Sequence, residues 1–333
     1  MKTKFMMMMA AAAMVLAACS NDEESDNWAG EIRLSSGLAV QTRANDTNVP
    51  DKQIAQGQTV YTWVDKVPIS DATTAYINAW TLTAGGDGTF TGSAQYYPAD
   101  GATLDFYAMH GNFTFNENDA FPTEAITHAV DATQSTNLGE NYLKSDLLYG
   151  LKKGVTRSKD AVNLTFYHLL SKVEVALKSG AGNPDLIGAT VTIENTRLKA
   201  SFTPDKTADI NSSTPKTAQD ARAGLVTCPT DNNDATPIAI ATEITTNDFA
   251  AGTTYAAAII VPQTVAKGTQ FIKVVLKNNS GTFTYKVPND GITFESGKKY
   301  QYQITVNQSG LSVASDISDW LPITAIKGEA TMD

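Results

Sequence analysis

From about Glu31 onward, short runs of Thr, Val, Ile, Tyr and Phe alternate with Gly, Pro, Asn and Asp. β-branched and aromatic residues suit a pleated, half-buried surface, and the residues between them are those that turns require. No stretch holds a helical apolar period beyond a turn or two, and no short repeat is visible. The chain reads as all-β. Residues 59–64 form one run. Residues 75–83 and 89–97 flank Ala84-Gly85-Gly86-Asp87-Gly88 and predict a hairpin. Residues 103–109 follow a turn at 98–101; residues 271–276 and 282–287 flank a second turn at 278–281, and residues 300–306 close the series. Strands at roughly ten-residue spacing in a chain this long predict two tandem β-sandwiches rather than one barrel. The boundary falls within 155–165, so the sandwiches are expected over 44–160 and 161–333. Residues 203–237 read as long loops on the second.

The amino terminus has a different character. Lys2 and Lys4 precede an apolar stretch over 5–16 that is too short to span a bilayer. Ala17 and Ala18 then admit a signal peptidase before Cys19, whose thiol is what diacylglyceryl transfer requires. Residues 1–18 therefore read as a lipoprotein signal peptide, with Cys19 lipidated. The full chain carries a formal charge of −10, and losing Lys2 and Lys4 makes it −12. Such a surface repels nucleic acid, so no nucleic-acid partner is expected. Acylation of Cys19 leaves Cys228 without an intrachain disulfide partner, and it reads as a small buried hydrophobe rather than a nucleophile.

Residues 19–43 form a lipidated leader that contains one ordered-looking piece. Ile32, Leu34, Leu38 and Val40 share one side of a period-two strand, while Glu31, Arg33, Ser35 and Gln41 share the other. A polar stretch over 44–48 follows, placing Arg43 between a strand and a protease-accessible loop. Two readings stay open. Either this strand edges the first sandwich for the life of the protein, or cleavage after Arg43 frees its place for a strand from another molecule.

Nothing marks an enzyme. His110, His128 and His168 show no metal spacing and adjoin no candidate nucleophile, so catalytic residues, metal and cofactor are all read as none. The motif at 231–234 lacks calcium-loop spacing, and the glycines at 85–88 open no helix.

Several motifs in order resemble one family. They are the lipidation box with its acidic tail, Thr42-Arg43-Ala44, Tyr96-Tyr97-Pro98 leading to the run 104–108, and Ser145-Asp146-Leu147-Leu148-Tyr149. Further along stand the run 162–168 leading to Ser171-Lys172-Val173, and Gly297-Lys298-Lys299-Tyr300 leading to Ile317-Ser318-Asp319-Trp320. Together they resemble the fimbrillin (Mfa-like) family. That resemblance implies two transthyretin-like β-sandwiches and a subunit of a type V pilus. It implies export as a lipoprotein to the outer face of the outer membrane, anchored by the lipid at Cys19. An arginine-specific protease would then cut between Arg43 and Ala44 and remove the strand carrying Ile32, Leu34, Leu38 and Val40. The partners would be other fimbrial subunits, joined by β-strand addition through a carboxy-terminal strand, for which Leu321, Ile323 and Ala325 are the candidates. Pro322 lacks a ladder donor, so this tail either donates or finishes the second sandwich. The alternative is a permanently anchored glycan-binding surface lipoprotein, with Trp63, Trp80 or Trp320 against sugar rings. Four tryptophans in an all-β chain are more simply core residues.

Overall fold

The computed structural model describes residues 28–38, 53–134, 139–207, 224–230, 235–241, 244, 256–288, 290–319 and 328–331. Within them the chain is nearly all β. Its first half contains β1 (Leu34–Leu38), β2 (Thr59–Val67), β3 (Thr74–Ala84), β4 (Phe90–Gly92), β5 (Thr103–His110), β6 (Ile126–Ala129), the short helix α1 (Glu140–Ser145), β7 (Leu148–Val155) and β8 (Val162–His168). All of these strands except β6 join one sheet, ordered β1-β8-β7-β5-β2-β3-β4. Alternation sorts its two faces. Val60, Val64, Leu104, Phe106, Leu164 and Phe166 enter a core enclosed by the sheet itself. Tyr61, Trp63, Tyr107, Met109 and Tyr149 point the other way, into a larger core shared with the rest of the chain. Because β2 and β5 are buried on both faces, they read as nearly continuous apolar runs. The hairpin expected around 84–88 forms, with Thr83 opposite Thr91.

The second half contains β9 (Ser171–Ser179), β10 (Thr190–Ile193), β11 (Lys199–Pro204), β12 (Gly224–Thr227), β13 (Ile238–Ala241), β14 (Ala256–Ile260), β15 (Thr264–Val265), β16 (Gln270–Val275), β17 (Thr282–Lys286), β18 (Ile292–Thr293), β19 (Lys298–Asn307), β20 (Gly310–Asp319) and β21 (Gly328–Thr331). A sheet ordered β14-β9-β19-β20-β21 faces one ordered β13-β10-β16-β17. Tyr302 of β19 meets Phe271 of β16 and Tyr285 of β17 at ring separations of 5.7 and 5.5 Å, which places the larger core between these sheets.

Two features depart from the sequence expectation. The stretch 203–237, read as loops, contains β12, which pairs with β11. Four residues with only two apolar members, adjacent to each other, carry too little pattern to announce a strand. In addition, β8 begins just past the expected boundary at 160 and pairs antiparallel with β7 in the first sheet. The halves are tied together closely. β6 pairs with β11 across them, Lys206 forms an ion pair with Asp65 at 2.7 Å, and the ammonium of Lys206 lies over the rings of Tyr107 and Phe121.

Candidate functional site

The place of β1 is the most distinctive site in the first half. It pairs parallel with β8, from Leu34 opposite Val162 to Leu38 opposite Phe166. Arg33 extends that ladder, its carbonyl accepting from the Val162 N–H at 2.8 Å. The other side of the segment is also held. The Ile32 N–H donates to Gln95 O and the Ser36 N–H to Gly88 O, each at 2.7 Å, and the Tyr97 N–H donates to Gly30 O at 2.8 Å. Residues 30–38 thus bridge the two ends of the seven-stranded sheet. Take them away and both flanking backbones lose their partners.

The side chains follow the expected alternation. Ile32 and Leu34 are 4% and 6% exposed and sit in the enclosed core, while Arg33 faces solvent. Burying these two aliphatic residues contributes about 3–6 kcal/mol as an upper bound. Gly88, in the turn at 84–88, is required by β1 itself. Its φ is +90°, and an added Cβ would stand 2.9 Å from the Ser36 carbonyl, so only glycine lets β1 approach this closely. Sequence reasoning took these glycines for a turn alone.

It also missed Trp28. This ring packs edge-on against Tyr97 at 6.2 Å and receives the Arg157 guanidinium 5.1 Å from its centre. Burial pushes the Tyr97 hydroxyl up from its ordinary value. Gly30, at φ +90°, makes room for the same guanidinium. The standing of Trp28 as the leader's single aromatic residue was the available signal. Trp28, Tyr97 and Arg157 form a latch ahead of β1.

Of the residues singled out from sequence, Ile32 and Leu34 lie together in the enclosed core and Leu38 lies in β1. Cys19, Val40, Arg43, Ala44, Leu321, Ile323 and Ala325 fall outside the described residues. The carboxy-terminal stretch reaches β20 through Asp319, and β21 folds back antiparallel on β20, with Ser312 opposite Thr331. Trp63 and Trp80 are 1% and 6% exposed; they belong to the two cores and offer no face for a sugar ring.

The histidines serve structure. All three converge on α1 and the residue after it. His110 meets Thr59 O at 2.8 Å and Leu143 O at 3.0 Å, His128 meets Ser145 O at 2.9 Å, and His168 contacts the Asp146 carboxylate. Burial holds His128 far below the usual imidazole value, at about 4, so it is neutral and accepts the Asn112 N–H at its other nitrogen. The Cys228 thiol is pushed up by partial burial, with Arg197 opposing, which makes it a poor nucleophile. What this arrangement offers is therefore a strand-shaped groove with backbone ladders on both walls and an apolar floor, rather than reactive chemistry.

Known proteins can be set beside this geometry. A protein of Bacteroides uniformis provisionally described as the fimbrium subunit Fim1C is 24% identical over 299 residues, covering 87% of this chain and 85% of the relative. Two solved structures provisionally described as cell adhesion proteins share the fold. One, from Bacteroides uniformis, has a TM-score of 0.57 at 20% identity and covers 87% of this chain and 98% of its own. The other, from Bacteroides ovatus, has a TM-score of 0.59 at 18% identity and covers 88% and 98%. The fimbrillin-like family matches residues 42–320. With that match spanning most of its length, the chain belongs to the fimbrillin-like family, whose members are fimbrial proteins and not enzymes.

Proposed function

We propose that this chain is a surface fimbrial subunit that polymerises by exchanging β1 for a strand of a neighbouring subunit. Export as a lipoprotein through Cys19 brings the precursor to the outer face of the outer membrane. There an arginine-specific protease cuts between Arg43 and Ala44, and the fragment carrying the lipid, Trp28 and β1 leaves. The observation that carries this reading is that β1 is a short parallel strand held on both sides and floored by Ile32 and Leu34. A strand from another chain could satisfy the same ladders and fill the same apolar positions. The family match begins at residue 42, next to the proposed cut, which supports treating what precedes it as removable. The likeness to a protein described as a fimbrium subunit supports the same assembly. The incoming strand in this reading is the carboxy-terminal tail bearing Leu321, Ile323 and Ala325 of a neighbouring subunit.

Limited trypsin digestion of the purified full chain tests this. The expected result is a first cut after Arg43, followed by slow loss of the amino-terminal fragment and growth of polymers. Cut protein that loses the fragment yet stays monomeric at high concentration overturns the proposal. So does protein from the cell surface whose amino terminus is uniformly the blocked Cys19.

A further inference from the structure

A second site lies along β3, beside the stretch whose Gln95 carbonyl also accepts the Ile32 N–H. β3 pairs with β2, but the register slips twice. Thr62 faces Trp80 while Val64 faces Ile77, so Asn78 and Ala79 together oppose Trp63; then Asp65 faces Ala75, leaving Tyr76 as an extra residue. Two bulges within five residues re-aim side chains that a regular strand would bury or pair. Ala79 takes a φ of +41°, a conformation that costs a non-glycine residue free energy. Beside the bulges, the turn at 116–119 carries Asn118 at φ +73°. That turn is rigid. Trp63 Nε1 donates to Asp119 O at 2.8 Å, and the Asp119 carboxylate accepts the Asn116 N–H at 2.6 Å.

Between them lies a cleft of about 420 Å³, walled by β3, by the stretch following β4, and by the 116–119 turn. This volume falls in the range of small-molecule sites. Two lining side chains are held in place by hydrogen bonds. Tyr76 Oη donates to Tyr96 O at 2.8 Å, and Trp80 Nε1 donates to Ser93 O at 3.0 Å. The part of β3 that lines it, from Tyr76 to Trp80, spans about 13 Å at most, a length that suits a compact ligand. Asn78, Gln95 and Asn118 bring carboxamides to the cleft, Ser93 a hydroxyl and Glu117 a carboxylate. Ile77 and the part-exposed Tyr76 supply the apolar wall, with the nearly buried Trp80 behind them. Among the described residues no lysine or arginine lines it.

The chemistry of that lining is selective. A carboxamide presents a donor and an acceptor side by side, which matches two neighbouring hydroxyl groups. The carboxylate accepts further hydroxyl protons, and the apolar wall suits the C–H face of a pyranose ring. Without a cation, and with Glu117 present on a chain of net charge −10, sulfated, phosphorylated and carboxylated ligands are disfavoured. We propose that the β3 cleft binds the neutral terminal sugar of a glycan. This makes an adhesive contact in a cleft that shares Gln95 with the wall of the exchange groove, and it needs neither cleavage nor polymerisation.

The test applies the purified, uncut full chain to an array of neutral oligosaccharides ending in mannose, galactose, glucose or N-acetylhexosamine, with sialylated and uronate-bearing glycans alongside. Hits are titrated by saturation-transfer NMR. The expected result is binding of at least one neutral glycan, weakened tenfold or more by Asn78→Ala and by Glu117→Arg, and unchanged by the distant Asn279→Ala. Glu117 is exposed, so its variant keeps the test decisive if the bulge substitution disturbs folding. Three outcomes overturn the proposal: no neutral glycan above background, preference for the charged glycans, or a hit whose affinity neither variant moves. Because uncut monomer is used, failure here leaves the strand-exchange proposal standing, and failure of that proposal leaves this one standing.

Discussion

The two ends of the described chain each supply a short strand to a sheet, yet the strands are held in different ways. β1 lies parallel to β8, is bonded on its far side to the stretch from Gly88 to Tyr97, and leads from two buried aliphatic residues. β21 lies antiparallel on the last strand of its sheet and pairs with β20 alone. Pairing pattern alone would rank the antiparallel strand as the better held. Core membership reverses that ranking. β1 helps to enclose a small core that the rest of the sheet cannot close, whereas the larger core is assembled from strands between β2 and β20. The lesson is that an exchangeable strand is defined by the vacancy it would leave, more than by the bonds that hold it.

Leu34→Asp probes that difference most severely. A carboxylate placed in the enclosed core should cost more than about 3 kcal/mol. Hydrogen exchange should report loss of protection in β8 and in residues 88–97, while β9 and β19 keep theirs. Equal loss in both halves would mean that the two cores unfold as one unit and the comparison fails.

Acid tests the junction between the halves. His128 has a folded value of about 4, below the ordinary 6.5 of an unfolded chain. The unfolded state therefore binds the additional proton, and the associated stability is complete above about pH 6.5 and lost as pH falls towards 4. The loss amounts to about 3 kcal/mol at most. A melting series across this window should decline in the natural chain and flatten for His128→Gln. Parallel curves for the two proteins would remove His128 from the account.

The smallest effect is expected at the other end. Truncation after residue 327 removes β21 and should lower stability by less than about 1 kcal/mol, since only one edge ladder is lost. A drop comparable to that of Leu34→Asp would show that the carboxy-terminal strand also closes a core.

Much of this organisation was readable from the chain. Alternation at 31–43 announced the amphipathic strand, and Gly-rich punctuation announced the hairpin at 84–88, because both signals are local. What escaped were choices of partner. Nothing in the sequence around 162–168 tells it to pair with β7 and β1, since that choice is made by apolar faces distant in sequence. His168 found its partner in Asp146, and Gly88 its role in the backbone of Ser36, through the same long-range assembly. The β3 cleft was invisible for a related reason: bulges are register events, and a single strand carries no register.

The parallel pairing of β1 with β8 has a consequence for the order of folding. β1 leaves the ribosome first, yet its ladder partner follows more than a hundred residues later. Closing so long a loop is slow, and such contacts tend to form after the nucleus is in place. The strand that begins the chain is thus among the last to dock. Weakening it should accelerate unfolding and leave the folding rate nearly unchanged. A subunit that completes itself with this strand keeps its latest-formed contact nearest to the proposed cut.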